Sequence, residues 1–334
     1  MNRTSRFGYF VAGFSVLAVV LAGLVALFYF LDGFSRETKI VEIQRGTGLF
    51  SIARKLEEQG IIRTAEILIL PALVSGNSGE LKYGEYMFSP GETPYSVHKK
   101  LRSGKAFLRK ATFPEGVTLK KMAEILESSH IVSKEEFLSL AENNEYSTKK
   151  LGKDVFSLEG FLFPDTYFFY RGSSAEKVIE TMLRRFWEAC APLGIERGEP
   201  GVREIVTVAS LIEKETASPD EKPLVSAVIR NRLRKRMKLE FDPTVIYALG
   251  ERFDGDIRKK DLSFSSPYNT YVVSGLPPGP IASPGLDSIK AALEPADVDY
   301  LYFVAMGDGR HVFSTTYRDH VNAVNKMLRS SKKR

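Results

Sequence analysis

Two glutamates in the second half of the chain have the residue type and spacing to supply one acid catalyst. The segment SLIEKET, residues 210–216, places Glu213 and Glu215 two positions apart near the predicted end of a helix. At about 100° per residue their side chains point about 200° apart around the helix, so they cannot act together on one bond. A single glutamate can still act as a general acid if its carboxyl stays protonated near neutral pH.

Glu215 is the better candidate for that acid. The spacing predicts a helix from Arg203 that ends at Ser218-Pro219, with an apolar stripe formed by Ile205, Val208, Ala209 and Ile212. Glu215 has bulkier apolar neighbours than Glu213, and it lies closer to the negative end of the helix dipole. Both effects disfavour the ionised carboxylate, so we expect a raised pKa for Glu215. The helix alone does not establish catalysis, because a glutamate beside an apolar stripe often only reaches into water.

The segments that follow this helix have local structure that the sequence also predicts. A second helix is predicted to be capped near Ser218 or Asp220, and the dipeptide Asp242-Pro243 is predicted to be extended. Residues 267–285 are rich in proline and glycine, which excludes a helix or a central strand and predicts a stiff loop. A β-hairpin that turns at 307–309 and a closing helix are predicted after it.

Seven motifs, in this order, resemble the endolytic murein transglycosylases of the MltG (YceG-like) type. They are EGFLFPDTY (159–167), ASLIEKETA (209–217), NRL (231–233), DPTVIYALG (242–250), YNTY (268–271), GLPPGPIASPG (275–285) and YLYFVA (300–305). The resemblance implies that the catalytic acid is the second glutamate of E-K-E-T, which is Glu215 here. The sequence has no glycine loop of the phosphate-binding kind, so no cofactor is predicted. Further candidates, for substrate binding or for orienting the acid, are Glu213, Asp242, Thr244, Tyr268, Asn269 and Thr270.

The resemblance also implies a substrate and a reaction. The expected enzyme is a lytic transglycosylase that cleaves the MurNAc–GlcNAc β-1,4 bond of nascent peptidoglycan strands, leaves a 1,6-anhydro-MurNAc end and terminates strand elongation. Expected partners are the glycan strands and the peptidoglycan synthases and elongation or division proteins at the membrane. Two alternatives stay open: a lysozyme-like hydrolase with Asp242 as its second carboxylate, and a non-catalytic wall-binding scaffold.

The N-terminal segment is predicted to be a membrane anchor. Residues 9–31 contain no charged side chain, and a helix of that length crosses the roughly 30 Å of hydrocarbon in a bilayer. A cleaved signal peptide is the alternative, but the expected small-residue cleavage site is missing. We therefore expect a short cytoplasmic stub, a single span, and the remainder of the chain outside the cytoplasmic membrane.

Three stretches after the span repeat one pattern. In each, a glycine follows a short β-prone run and precedes a leucine by ten positions: Gly46 to Leu56, Gly91 to Leu101 and Gly116 to Leu126. The pattern predicts a strand, a glycine turn and a short amphipathic helix, with Thr47, Thr93 or Thr118 as capping hydroxyls. The first copy resembles the LysM-type glycan-binding module.

The predicted fold class is therefore α+β in three parts. Residues 1–35 form the stub and transmembrane helix, residues 36–105 the LysM-like α/β module, and residues 106–330 the YceG-like mixed α/β catalytic domain. A structural spacer is the alternative role for the LysM-like part.

Composition excludes some other functions. The single cysteine, Cys190, cannot form an internal disulfide and is predicted to be a buried apolar residue. The histidines lack the spacing of metal ligands, so no metal site is predicted. The net charge of +6 is not arranged as a basic stripe with interleaved aromatic residues, which argues against nucleic-acid binding.

Overall fold

A computed structural model describes residues 3–76, 81–152, 155–307 and 309–331. The fold is α+β, with short two-stranded sheets between helices. The chain divides into two compact units: Met1–Arg109 with Phe168–Arg171, and Lys110–Tyr167 with Gly172–Arg334.

The first unit begins with a long apolar helix and continues with alternating strands and helices. Its elements are α1 (Arg3–Leu31), β1 (Lys39–Ile43), α2 (Leu49–Glu58), α3 (Glu66–Val74), β2 (Gly84–Phe88) and α4 (Pro94–Ser103). Strands β1 and β2 pair antiparallel, with Val41 opposite Tyr86. The buried faces of the hairpin and of α2, α3 and α4 form one hydrophobic core.

The second unit is mainly helical. It contains most of β3 (Arg109–Thr112) and half of β4 (Thr166–Phe169). Its other elements are α5 (Leu119–Ser128), α6 (Lys134–Ala141), α7 (Asn144–Leu151), α8 (Ala175–Cys190), α9 (Val202–Glu215), α10 (Lys222–Arg234), α11 (Asp242–Leu249), α12 (Lys259–Leu262), α13 (Leu286–Leu293), β5 (Tyr302–Ala305), β6 (His311–Ser314) and α14 (Tyr317–Ser331). Helix α9 packs against α10, α11 and α13. A core that includes Leu211 and Ile212 of α9 and Ile281 of the proline-rich loop holds these elements together.

The predicted strand, glycine turn and helix units are confirmed. Gly46, Gly91 and Gly116 have φ angles of 84°, 75° and 72°, a region that favours glycine, and each lies between a strand and a helix. Two of the predicted caps are confirmed, because Thr93 and Thr118 accept hydrogen bonds from backbone N–H groups in the first turns of α4 and α5. The prediction for Thr47 is wrong: Gly48 is the residue at the N-terminal cap of α2, and it has no side chain to offer.

Helix α1 has the length and composition of a membrane span over Phe14–Leu31. Only 6% of that window is buried, so its apolar side chains are available to a nonpolar solvent. A signal sequence near an N-terminus has the same length and composition.

The helix that carries the two glutamates differs from prediction at its end and on its buried face. It stops at Glu215, before the predicted Ser218-Pro219 boundary, and Thr216 is its extended C-terminal cap. Ala209 and Ile212 of the predicted stripe are fully buried, whereas Ile205 and Val208 are only half-buried. The buried face is wider than the stripe because α9 packs against helices on more than one side.

Two local predictions after α9 are wrong. Helix α10 has Glu221 at its N-terminal cap, with no capping side chain from Ser218 or Asp220. Asp242-Pro243 is not extended: it forms the first turn of α11, where proline is favoured because its missing N–H would have no helical partner.

The remaining elements agree with the sequence. Residues 267–285 form neither a helix nor a strand longer than the single bridge between Val117 and Ser283. Strands β5 and β6 form the predicted antiparallel hairpin, and α14 follows; position 308 of the predicted turn lies outside the described residues. Cys190 is fully buried, and burial raises the pKa of its thiol to about 12.

Candidate active site

The two glutamates of α9 enter different surroundings. The Glu213 carboxylate forms an ion pair with Lys222 at 3.2 Å, and the two side chains are only 8% and 4% exposed. The same oxygen accepts hydrogen bonds from the Gly285 N–H at 3.1 Å and from the Ser288 hydroxyl at 2.6 Å. Glu213 therefore links α9, α10 and the start of α13, and these contacts give it a structural role.

Glu215 lines a cavity of about 270 Å³. Its side chain is half-buried at the last turn of α9, where the helix meets solvent-accessible space. Burial and, secondarily, the nearby Asp242 carboxylate raise the pKa of Glu215 to about 8. The predicted rise in the pKa of Glu215 is confirmed, and this carboxyl keeps its proton at neutral pH while facing a cavity.

Asp242 shares this cavity with Glu215, and a tyrosine orients it. The Tyr271 hydroxyl donates a hydrogen bond of 2.6 Å to Oδ1 of Asp242, and Tyr271 also lines the cavity. Asp242 lies there because it opens α11, the short helix that packs against α9. The cavity thus contains a protonated carboxyl and a hydrogen-bonded carboxylate from two different helices.

Three of the predicted substrate-contacting side chains lie beneath the cavity wall. Thr244, Asn269 and Thr270 are fully buried. The Thr270 hydroxyl accepts a hydrogen bond from the Phe241 N–H at 2.9 Å and lies 2.9 Å from the Thr244 hydroxyl. These bonds fix the residue before Asp242, so Thr244 and Thr270 help to position Asp242 at the cavity.

Asn269 has a similar role in the proline-rich loop. Its amide donates hydrogen bonds to the carbonyl oxygens of Leu262 and Phe264, at 3.1 and 2.8 Å. Its side-chain oxygen accepts a hydrogen bond from the Tyr271 N–H at 2.9 Å. Asn269 therefore positions Tyr271, which in turn binds Asp242.

Tyr268 belongs to a second group of residues, around Glu159. Its ring centroid lies 4.9 Å from that of Tyr247, whose hydroxyl donates a 3.3 Å hydrogen bond to Glu159. Glu159 is 4% exposed and also accepts a hydrogen bond from the Leu119 N–H at the start of α5. Burial raises the pKa of Glu159 to about 8.

Three further residues that line the cavity were not anticipated from the sequence. They are Arg232, Glu240 and His320. The Arg232 guanidinium donates to the carbonyl oxygens of Leu301 and Leu239, each at 2.7 Å, so it ties α10 to the chain on both sides of the cavity. Burial and the positive charge of Arg232 lower the pKa of His320, which favours the neutral imidazole.

Sequence reasoning also missed Tyr271 and Glu159. Both lie inside motifs that carried the family resemblance: Tyr271 ends YNTY, and Glu159 begins EGFLFPDTY. In the ranges that the structure describes, no group of three or more His, Cys, Asp or Glu side chains has the arrangement of a metal site.

Comparison with known proteins places this fold and cavity in one family. The YceG-like family model matches residues 41–326, which include both units' strand and helix repeats and every residue of the cavity. The chain belongs to the YceG-like family.

Its relatives include proteins named for one activity. An endolytic murein transglycosylase of Bacillus subtilis (strain 168) is 33% identical over 313 residues, which cover 89% of this chain and 86% of the relative. One of Streptococcus pneumoniae serotype 2 is 28% identical over 322 residues, covering 87% of this chain and 58% of the relative. A crystal structure of a yceG-like protein of Listeria monocytogenes superposes with a TM-score of 0.56 at 32% identity, covering 86% of this chain and all of that one.

Proposed function

We propose that this chain is a membrane-anchored endolytic lytic transglycosylase of peptidoglycan, with Glu215 as its catalytic acid and base. The observation that carries the proposal is a glutamate whose pKa is raised to about 8 and which lines a cavity with the Asp242 carboxylate. The names of the relatives supply the substrate class, murein. The bond proposed to be cleaved is the β-1,4 linkage from MurNAc to GlcNAc in nascent strands, which would terminate strand elongation.

The mechanism needs only one group that first gives and then takes a proton. The Glu215 carboxyl donates its proton to the glycosidic oxygen, and the bond from that oxygen to C1 of MurNAc breaks. The resulting Glu215 carboxylate then removes the proton of the C6 hydroxyl of the same sugar, whose oxygen bonds to C1. The products are a new GlcNAc 4-hydroxyl end and a 1,6-anhydro-MurNAc end, and Glu215 is protonated again. Attack from within the same ring is favoured by its high effective molarity.

Asp242 has two effects that favour this cycle. Its negative charge adds to burial, the main cause, in raising the pKa of Glu215, and it can stabilise the positive charge that develops on the sugar as the bond breaks. Tyr271 keeps the Asp242 carboxylate in place for both purposes. Thr244, Asn269 and Thr270 position these groups from beneath the surface.

A retaining or inverting hydrolase is the second candidate, because Asp242 is a second carboxylate in the same cavity. Digestion of purified glycan strands in heavy-oxygen water separates the two reactions. Hydrolysis incorporates one solvent oxygen at each new muramic end, whereas the proposed reaction incorporates none and gives ends lighter by one water. Stoichiometric label in the muramic ends would reject the transglycosylase mechanism.

A non-catalytic scaffold that only binds the wall predicts no new ends at all. The matched comparison is Glu215→Gln, which removes the transferable proton and keeps the shape of the side chain. We expect the wild-type chain to shorten glycan strands and the variant to leave them intact. Equal strand lengths with both proteins would favour the scaffold.

The proposal includes an arrangement at the membrane. Helix α1 would be a single span with its N-terminus in the cytoplasm, and residues 34–334 would lie outside the cytoplasmic membrane. The proposed parts are the stub and span at 1–35, a LysM-like module at 36–105 and the catalytic domain at 106–330, with peptidoglycan synthases as neighbours. A reporter that is active only in the cytoplasm, fused after Arg334, is expected to be inactive. An active reporter would reject this topology.

A further inference from the structure

Two side chains of the candidate active-site cavity have nitrogen atoms that the proposed reaction does not use. Arg232 and His320 line the same cavity as Glu215. Each has one nitrogen without a bond to any group in the part of the chain that the structure describes, other than the nitrogens that hold the side chain in place. Polar atoms that are withdrawn from water usually have a hydrogen-bond partner, so unused donors at a cavity point to a ligand.

The Arg232 guanidinium is held by carbonyl oxygens at two of its three nitrogens. Nε donates to Leu301 at 2.7 Å, and Nη1 donates to Lys238 and Leu239 at 3.1 and 2.7 Å. Nη1 also lies 3.4 Å from the Glu240 carboxylate. Nη2 donates to no group within the described residues, although the side chain is only 10% exposed. The guanidinium is therefore fixed, and the two hydrogens of Nη2 are left for a ligand.

The His320 imidazole offers a second donor. Its Nδ1 is buried and has no hydrogen-bond partner among the described residues. Burial and the positive charge of Arg232 lower the pKa of His320, so the ring is neutral at pH 7 and carries one proton. A proton on Nδ1 would be a buried donor without an acceptor, which is rare in folded proteins. The proton therefore belongs on Nε2, where a ligand can accept the hydrogen bond.

One aromatic ring holds the two donors near each other. The guanidinium carbon of Arg232 lies 5.2 Å from the centre of the Tyr302 ring. The His320 ring stacks on the same tyrosine, with its centre 5.3 Å away and an angle of 22° between the rings. Arg232 belongs to α10, Tyr302 to β5 and His320 to α14, so three elements of the second unit fix this pair of donors.

The charges around the cavity favour a neutral acceptor. Arg232 brings one positive charge, and the carboxylates of Asp242 and Glu240 bring two negative charges. Glu215 keeps its proton at neutral pH, and His320 is neutral. A carboxylate on the ligand would add a further negative charge to a cavity that already has an excess of them. A carbonyl oxygen accepts the same two hydrogen bonds without that cost.

The remaining walls of the cavity are apolar. Leu239, Phe241 and Phe303 line it, and the ring centres of the two phenylalanines lie 5.8 Å apart. Leu239 is fully buried and Phe241 is 3% exposed, so a ligand group placed against them loses contact with water. An acetamido group joins a neutral carbonyl oxygen to a methyl group. It therefore matches both the pair of donors and the apolar walls.

We propose that Arg232 and His320 bind the acetamido group of an amino sugar. Nη2 of Arg232 and Nε2 of His320 both donate to its carbonyl oxygen, and its methyl group packs against Leu239 and Phe303. The two residues would be substrate-binding and specificity residues, because a sugar with a 2-hydroxyl group in place of the acetamido group leaves both donors unpaired. This inference rests on the proposed function, since it names the group of the proposed substrate that the cavity recognises.

The first experiment measures binding without catalysis. The full-length Glu215→Gln chain in detergent is titrated with a peptide-free tetrasaccharide of alternating GlcNAc and MurNAc, and the Kd is obtained by calorimetry. A synthetic analogue with a hydroxyl group in place of each acetamido group is titrated in the same way. We expect the analogue to bind at least about ten-fold more weakly, because two desolvated donors lose their acceptor. Equal Kd values, or no binding of the acetamido sugar, would overturn the proposal.

Variants of His320 in the same background test whether that preference comes from its donor. His320→Leu should weaken binding of the acetamido sugar by about ten-fold and leave that of the analogue nearly unchanged. His320→Gln keeps an N–H donor near the position of Nε2 and should stay within about three-fold of its parent. Asn322→Leu changes an exposed polar residue of α14 that does not line the cavity, and it should have no effect. Equal weakening of both sugars by His320→Leu would mean a structural role and would overturn the proposal.

NMR spectra of the chain labelled with ¹⁵N in histidine give a readout without any substitution of the donor. We expect the His320 proton on Nε2, and we expect the Nε2 signal to shift with the acetamido sugar but not with the analogue. The His320→Gln spectrum assigns the signal, because that signal alone disappears. A proton on Nδ1, or equal shifts with both sugars, would contradict the proposal.

The lactyl group of MurNAc is another source of a neutral carbonyl, where a peptide stem is attached through an amide. Tetrasaccharides whose lactyl carboxyl is free or converted to a methylamide separate the two sources. The acetamido site predicts the same fold-loss on His320→Leu with both. A gain on methylamide formation that His320→Leu abolishes would assign the donors to the lactyl amide and overturn the acetamido site. Digestion of glycan strands by the unaltered chain tests the proposed function separately: intact strands would reject that function, whereas cleavage without any acetamido preference would reject only this inference.

Discussion

Glu213 and Glu215 leave the same helix end two residues apart, yet they face environments of opposite kinds. The Glu213 carboxylate is paired with the buried ammonium of Lys222 and with two further hydrogen-bond donors. Glu215 faces a cavity that it shares with Asp242, whose negative charge adds to the effect of burial on the Glu215 carboxyl. The helix periodicity separates the two side chains, but their partners decide which of them is free to exchange a proton with a ligand.

Glu159 shows that a raised pKa is not sufficient to identify a catalytic acid. Burial raises the pKa of both Glu159 and Glu215 to about 8. Glu159, however, is 4% exposed and is bound to the Leu119 N–H and the Tyr247 hydroxyl. Because a general acid must reach the substrate, access to a cavity distinguishes Glu215 from Glu159.

The largest expected effect is the loss of activity in Glu215→Gln. Removing the transferable proton should lower kcat/KM for glycan cleavage by about 10²- to 10⁴-fold, the usual contribution of general acid–base catalysis. Glu213→Gln is the matched variant, two residues away on the same helix, and should lose much less among the molecules that remain folded. Equal losses in folded samples of both variants would break the distinction between the two glutamates.

A second prediction concerns the pH dependence of stability at Glu159. Its folded pKa of about 8 lies above the ordinary value of 4.5, so between these pH values the folded chain holds a proton that the unfolded chain releases. Stability is therefore lost as pH rises through this window, by on the order of 4 kcal/mol for this group. Glu159→Gln should remove that part of the decline, as measured by urea unfolding of the full chain in detergent from pH 5 to 8.

The control is Glu145→Gln, an exposed glutamate at the start of α7, which should leave the pH dependence unchanged. Glu215 contributes a decline of the same sign, so the Glu159 variant is expected to flatten the curve only partly. If the free energy of unfolding of Glu159→Gln falls with pH as steeply as that of the wild type, Glu159 is ionised in the folded chain. Its pKa would then not be raised as that of Glu215 is.

Local patterns predicted the elements of this fold better than they predicted side-chain partners. Gly91 with Thr93, and Gly116 with Thr118, specify a turn and a helix start within three residues, so sequence was sufficient. The partner of Glu213 was not predictable in this way. Ser288 lies 75 positions along the chain and reaches Glu213 only because α13 packs on α9.

Side-chain partners were also not predictable in the loop that follows α12. The sequence indicated a stiff loop that holds polar residues, but it could not indicate which of them face inward. Asn269 and Thr270 are buried, and their neighbour Tyr271 reaches Asp242. A cluster of polar residues in a proline-rich loop therefore predicted a constrained site, and only the packing assigned the roles.

A third, smaller effect is expected from breaking the Glu213 ion pair. Glu213→Gln leaves Lys222 charged and buried without its partner, which should lower the free energy of unfolding by about 3 kcal/mol. Glu204→Gln on the same helix breaks an exposed pair with Arg203 and should cost less than about 1 kcal/mol. Similar losses in the two variants, measured by urea unfolding, would contradict the structural role of Glu213.

The smallest effect is expected from Asp242→Asn, which separates the contributions of burial and of charge to the pKa of Glu215. Asp242 is the secondary cause of the raised pKa, so Asp242→Asn should lower the Glu215 pKa without returning it to the ordinary value. Because the protonated form of Glu215 starts the reaction, kcat/KM falls as pH rises through that pKa, and the variant's fall should begin at lower pH. At pH 6, where both proteins keep the proton, kcat/KM should fall by less than about ten-fold, and this loss measures how much the Asp242 charge stabilises the developing charge on the sugar. Glu240→Gln is the control, since it removes a negative charge from the same cavity and leaves Asp242 in place. An alkaline limb that moves equally in both variants would mean that the cavity's overall negative charge, and not Asp242 in particular, adds to the effect of burial on the pKa of Glu215. A loss in Asp242→Asn at pH 6 as large as that in Glu215→Gln would instead make Asp242 a second catalytic carboxylate, as a hydrolase requires.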